Sequence, residues 1–456
     1  MVDQEKEDVV ARYPLADAIP QEQLDAELAE LEALEKKPLL ARLGGYLKLG
    51  GPGFIGAGFT LGAGSVTASM ISGVMYGYKI MWVTWFSMLV GLFMIAATLR
   101  LATKKGAMIP LQNKRHGIFI GSVLTALGGA AIPAIIWTWG QFALAGNLLE
   151  NLTPYFGFAF PRQYNWIVIW GLTTWLTLMY GRKDSRGTVI VEMFMKGAIG
   201  LMVLGFAFSV FKVGVNWKEF FQGNLPIWIP AGGDGLDLVL ASGAAACGVM
   251  DWILFHYTGL SRGWGRRHEK LGRMDMIFGL GLPFIVVNWM VITVFAQTLG
   301  AQHAPVPEDA IHLAAAFTPL LGSRLGSVFF YVAFLAVPIT SIVGLNIVCA
   351  IGFFEAFGWK PDVKSLRWKI CALLPSTGFL AVWTQRPLWL VILVTAFISL
   401  TNNFAGWSVY LLLNDKDVMS EDRVKNYLWN LGMLVALCFV NAGAIVYVFN
   451  RLGVFS

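Results

Sequence analysis

Asp251 and His256 are the residues of this sequence best suited to chemistry, because both can carry charge inside an apolar stretch, Ser242 to Gly259 (SGAAACGVMDWILFHYTG). An ionisable side chain at bilayer depth is costly enough to be read as functional. The Asp251 carboxylate could hold a cation, and His256, which titrates near neutrality, is a candidate for proton coupling. The two are five residues apart, about 500° around a helix, so they need not share a face. A second stretch, Gly51 to Gly73 (GPGFIGAGFTLGAGSVTASMISG), offers neutral groups: the hydroxyls of Ser65, Thr67 and Ser69, and backbone left open at Gly62 and Gly64. Ala246, Val249 and Trp252 flank Asp251, and Thr401, Asn402 and Asn403 add hydroxyls and amides late in the chain. Neutral oxygens and amides suit a hard cation or a polar organic solute better than a soft metal. The structural alternatives are Ser and Thr bonding back to their own helix and a carboxylate that only caps freed backbone amides.

The elements that must position these groups are membrane spans. Of 456 residues, 56% are hydrophobic and 14% charged, which excludes a soluble globular domain and specifies an all-α polytopic membrane protein. Hydropathy places eleven spans near 48–75, 79–99, 117–149, 163–180, 187–211, 236–259, 274–299, 324–354, 367–385, 387–412 and 425–449. Residues 1–47 read as a cytosolic acidic tail and 48–456 as one transmembrane domain. Within the tail, Leu24, Leu28, Leu31 and Leu34 follow Pro20 at helical spacing and predict a short amphipathic helix. Glycine interrupts the first and sixth spans, near Gly62 to Ser65 and near Ala246 to Asp251. Broken helices at bilayer depth persist only where they line a cavity or bind something. One break in each half implies two five-helix repeats of inverted topology plus one span, the LeuT-type architecture. Basic clusters occupy alternate loops, as at Arg262 to Arg273, which places the N-terminus in the cytoplasm and the C-terminus outside a plasma or inner membrane.

The stretch GPGFIGAGFTLGAGSVTASMISG followed by KIMWVTWFSMLVG resembles the first two spans of the natural resistance-associated macrophage protein family of proton-coupled divalent-metal transporters. The likeness continues through LATKKGAMIPLQNKRHG, YGRKDSRGTVIVEMFMKGAIG, FLAVPITSIVGLNIVCAIGFFEAFGW and TNNFAGWSVYLLLNDKDVMSE, about 400 residues in all. The resemblance implies the fold and a divalent metal as substrate. It also marks departures. The family's Asp-Pro-Gly-Asn is here Gly62-Ala63-Gly64-Ser65, its Met-Pro-His-Asn is Val249-Met250-Asp251-Trp252, its tenth-span glutamine is Thr401, and acids of its proton path correspond to Trp139 and Phe142. Asp251 is then the tentative metal ligand, standing in for the carboxylate absent at Gly62.

The net charge of +6 sits in span-flanking loops, so no nucleic-acid partner is implied, and the partners are membrane lipids and a small cation or solute. The four cysteines lack CxxC spacing, and no phosphate loop or nucleophile elbow occurs, so neither a cofactor nor an enzyme is indicated. Three functions remain open: a secondary transporter of a metal cation, a transporter of a small polar solute such as an amino acid, and a non-transporting sensor of the same fold.

Overall fold

The computed structural model describes residues 21–180, 186–225, 227–230, 233–384, 388–392 and 403–452. Its principal helices are α1 (Gln21–Glu35), α2 (Leu39–Leu49), α3 (Pro52–Thr60), α4 (Ala63–Tyr76), α5 (Trp82–Lys105), α6 (Met108–His116), α7 (Ile132–Leu152), α8 (Arg162–Met179), α9 (Arg186–Val213), α10 (Trp217–Asn224), α11 (Gly233–Cys247), α12 (Val249–Ser261), α13 (Glu269–Met274), α14 (Leu282–Phe295), α15 (Ser323–Phe357), α16 (Leu366–Leu373), α17 (Asn403–Asn414) and α18 (Tyr427–Arg451). Among the described residues, six continuous helices are long and apolar enough to cross a membrane, and α3 with α4 makes a seventh span bent by 48°. Length and composition alone therefore do not establish the count of eleven. The third span has a π-helical opening, Phe119–Ala131, before α7.

One sequence boundary moves. The first span does not run from 48. Gly50 and Gly51 end α2, and Pro52, at the first helical position where its missing N–H costs nothing, starts α3. The predicted tail helix forms as α1, with Leu31 and Leu34 buried and Leu24 and Leu28 half-buried on the same side. It lies on α2 and on the turn before α13, through Glu32 to Arg267, Glu35 to Lys270 and the Tyr46 hydroxyl to Glu35. The Lys270 hydrogen bond first, and the Tyr46 hydroxyl second, hold the Glu35 carboxyl below the usual carboxylate range.

Both interrupted spans have their breaks where glycine predicted them. Leu61 and Gly62 leave helical geometry between α3 and α4, and Gly62 is extended (φ −80°, ψ 178°). Gly248 does the same between α11 and α12 (φ −65°, ψ 143°). The two spans lie side by side and cross at their breaks, α3 packing on α12 and α4 on α11. Gly91 lets α5 come close to the second break, because a Cβ there would overlap the carbonyl of Ala246, just before the break. The start of α3 is tied down separately. Asp275 accepts the Gly53 N–H at 2.6 Å, satisfying one of the orphan donors of a helix N-terminus, and the Arg262 guanidinium lies against Gly51.

Candidate functional site at the paired helix breaks

The half-helices leave backbone groups that must be satisfied from outside their own ladder. At the first break much of that is done locally: Ser65 Oγ donates to Thr60 O at 2.7 Å, and the Thr60 hydroxyl donates to Gly56 O. The expected site role of Ser65 therefore competes with a backbone role that its hydroxyl already fills. Gly58 O, the last carbonyl but two in α3, receives Thr340 Oγ1 of α15 at 2.9 Å. Thr67 is fully buried and its hydroxyl has no hydrogen-bond partner, whereas Ser69 donates to Asn288 of α14 at 2.8 Å. Gly62 and Gly64 are buried at the turn itself.

At the second break Asp251 occupies the first turn of α12, where the positive end of the helix dipole favours a carboxylate. It is 1% exposed, and neither carboxylate oxygen has a hydrogen-bond partner. That combination is unusual for a side chain whose burial is tolerated only when paired. Trp252 beside it is fully buried, its Nε1–H is also without a partner, and its ring reaches toward Gly406 of α17. Val249 packs toward Gly129 at the π-helical opening of the third span, and Ala246 is spent on the contact with Gly91.

His256 is held differently from its neighbours. The Met108 N–H donates to Nε2 at 3.1 Å, so the ring proton sits on Nδ1 and is given to Thr98 O at 2.9 Å. Both nitrogens of the proton-coupling candidate are thus engaged by backbone of α5 and α6, and the ring ties three elements together. Thr401 and Asn402 lie outside the described residues, as does the side chain of Asn403. The Lys196 ammonium lies over the Phe54 ring of α3 at 5.4 Å.

The structure adds residues that sequence reasoning passed over. Ser341 of α15 is buried with an unpartnered hydroxyl 2.5 Å from where a Cβ on Gly62 would stand, so glycine is required there for the hydroxyl to approach. Gln141 of α7 is fully buried with both amide atoms unpartnered, and Trp137, one turn earlier, sets its ring edge against Phe59 of α3 (centroids 5.4 Å, interplanar 72°). An amide set among apolar residues in a span was the available signal for Gln141. Among the described residues no group of three or more His, Cys, Asp or Glu side chains is placed to hold a metal.

Comparison with known proteins fits this geometry. A mutant of the Eremococcus coleocola manganese transporter superposes with a TM-score of 0.70 at 17% identity, covering 90% of this chain and 88% of that one. MhsT in complex with L-phenylalanine superposes at 0.57 with 15% identity, covering 87% and 98%. These likenesses establish the fold, LeuT-type with broken first and sixth spans. The divalent metal cation transporter MntH of Acidiphilium cryptum is 24% identical over 309 residues, and the match spans 64% of this chain and 66% of that relative's length. The model of the family "Natural resistance-associated macrophage protein-like" matches residues 53–449. A match of that extent, over a chain with long apolar helices, makes this an integral membrane protein of the natural resistance-associated macrophage protein family.

Proposed function

We propose that this chain is a secondary active transporter that moves a divalent metal cation by alternating access past the paired breaks, with Asp251 supplying the charge of the site. The observation that carries the reading is the buried, unpartnered carboxylate of Asp251 at the break of the sixth span, beside the broken first span. A cation offers such a group the compensation that burial otherwise denies it. The similarity to a divalent metal cation transporter of Acidiphilium cryptum and to the manganese transporter of Eremococcus coleocola points the same way. The protein is read as a carrier in contact with membrane lipids and not as an enzyme, with its N-terminus in the cytoplasm and its C-terminus outside.

One observation favours a second reading. The first break is faced by neutral hydroxyl and amide groups, and a structural neighbour of the same fold is solved with L-phenylalanine. A small polar solute is therefore the competing substrate. Purified protein in proteoliposomes should accumulate radiolabelled Mn²⁺ when an inward proton gradient is imposed, and excess unlabelled L-amino acids should leave that uptake unchanged. Absence of Mn²⁺ uptake together with uptake of a labelled amino acid would reverse the assignment.

A further inference from the structure

Thr340 and Ser341 stand side by side on α15 at the level of the first break, yet their hydroxyls are used differently. Thr340 spends its proton on backbone, donating to Gly58 O of α3. Ser341 makes no hydrogen bond, although it is 1% exposed and set 2.5 Å from the Cβ position of Gly62. From α7, Trp137 packs on Phe59, three residues before Gly62. Gln141 lies four residues after Trp137, on the same helix face and about 6 Å further along the axis. Its amide is fully buried with neither atom paired, and α7 packs against α4, the half-helix that begins at this break. Leaving a buried polar group unsatisfied costs about 1–3 kcal/mol; one such group, Ser341, stands beside the open backbone, and the other, Gln141, lies on a helix that packs on both half-helix ends through Trp137 and α4. Their hydrogen-bonding and coordinating capacity is not consumed by the fold.

We infer that Ser341 of the eighth span and Gln141 of the third are substrate ligands that set specificity at the first break, giving the site a wall of neutral oxygen donors. The inference rests on the cation reading above and refines it. A hydroxyl and an amide oxygen are hard donors, suited to Mn²⁺ or Mg²⁺ and poorly suited to a soft ion such as Cd²⁺. Softer atoms stand at the second break, where Met250 carries a buried thioether beside Asp251 and the buried Cys247 thiol donates to Ser87 O at 3.1 Å. Val249 has no donor atom in its side chain, and both ring nitrogens of His256 are engaged elsewhere. Selectivity is thereby assigned to two helices outside the broken pair, with the charge left to Asp251.

The test is a selectivity ratio. Wild type and Ser341→Cys are compared in proteoliposomes by radiolabelled Mn²⁺ uptake in competition with Cd²⁺. Exchanging oxygen for sulfur at nearly constant shape should raise the potency of Cd²⁺ relative to Mn²⁺ by about tenfold, the lower end of what changes around a metal cost. Gln141→Met, which replaces the amide by a thioether of similar length, carries the same test if the cysteine variant fails to fold. An unchanged ratio in a folded, transporting variant overturns this inference alone. Wild-type protein that takes up neither ion overturns the cation reading and this inference with it.

Discussion

Replacing Asp251 by asparagine keeps the side-chain volume and removes only the charge. The carboxylate is 1% exposed and lacks a hydrogen-bond partner, and a charged Asp at mid-bilayer costs about 2.5–3.5 kcal/mol on insertion scales. Its own helix offers no relief. The first basic residue beyond it, Arg262, is about 16 Å further along at 1.5 Å per residue, and its guanidinium lies against Gly51. Removing an uncompensated charge of that cost should stabilise the cation-free protein by up to the same amount, about 60- to 300-fold in the folding equilibrium at tenfold per 1.4 kcal/mol. Bound cation should do the opposite for wild type alone. At a hundred times its dissociation constant, Mn²⁺ should add about 2.7 kcal/mol to wild-type stability and nothing to Asp251→Asn. Thermal unfolding in detergent with and without Mn²⁺, read beside proteoliposome uptake, measures both effects. If Asp251→Asn takes up Mn²⁺ at the wild-type rate, or keeps the Mn²⁺-induced shift, Asp251 does not carry the charge of the site. A fall in cation-free stability would instead make the carboxylate structural.

Gly91→Ala should cost about 1–3 kcal/mol by forcing α5 off the Ala246 carbonyl, whereas Gly171→Ala, which meets nothing within 4 Å, should gain about 0.5–1 kcal/mol in helix propensity. Equal effects on denaturation in detergent would refute the close approach of α5 to the second break. The tail helix should loosen with acid. Because the Glu35 carboxyl is depressed by Lys270 and Tyr46, its contribution is complete above the ordinary carboxylate range and is lost as pH falls through the depressed value. About 1 M salt, with a Debye length near 3 Å, should weaken the same exposed pairs, and Glu35→Gln should reproduce the acid effect. Hydrogen exchange over residues 21–49 reads this out, and protection indifferent to all three treatments would contradict it. An impermeant thiol reagent applied to whole cells should label Ser323→Cys and spare Lys114→Cys, and the reverse pattern would invert the proposed topology.

Much of the architecture was legible because a bilayer leaves the chain few options. Long apolar runs must be helical so that every peptide group is satisfied within its own segment. Glycine at Gly62 and Gly248 marks the places where that rule is suspended, and the structure breaks the helices there. The leucine spacing of the tail foretold α1 in the same local way, and the Gly50-Gly51-Pro52 run that moves the start of the first span was also present to be read.

What the sequence did not determine is which polar group faces which partner. Thr340 and Ser341 are adjacent hydroxyls with the same local pattern, and only the position of α15 against α3, a contact across 282 residues, commits the first to Gly58 O and leaves the second beside Gly62. His256 reads as a proton carrier from its type and depth, but the approach of α5 and α6 turns both of its nitrogens to backbone. Asp251, on the same helix, finds no such partner. Side-chain type and periodicity are local properties, and they determined the helical character of the apolar runs, the two breaks and the inventory of polar groups. Hydrogen-bond satisfaction is a property of pairs brought together by packing, so the division of those groups into structural anchors and unpartnered groups was decided by the tertiary structure alone.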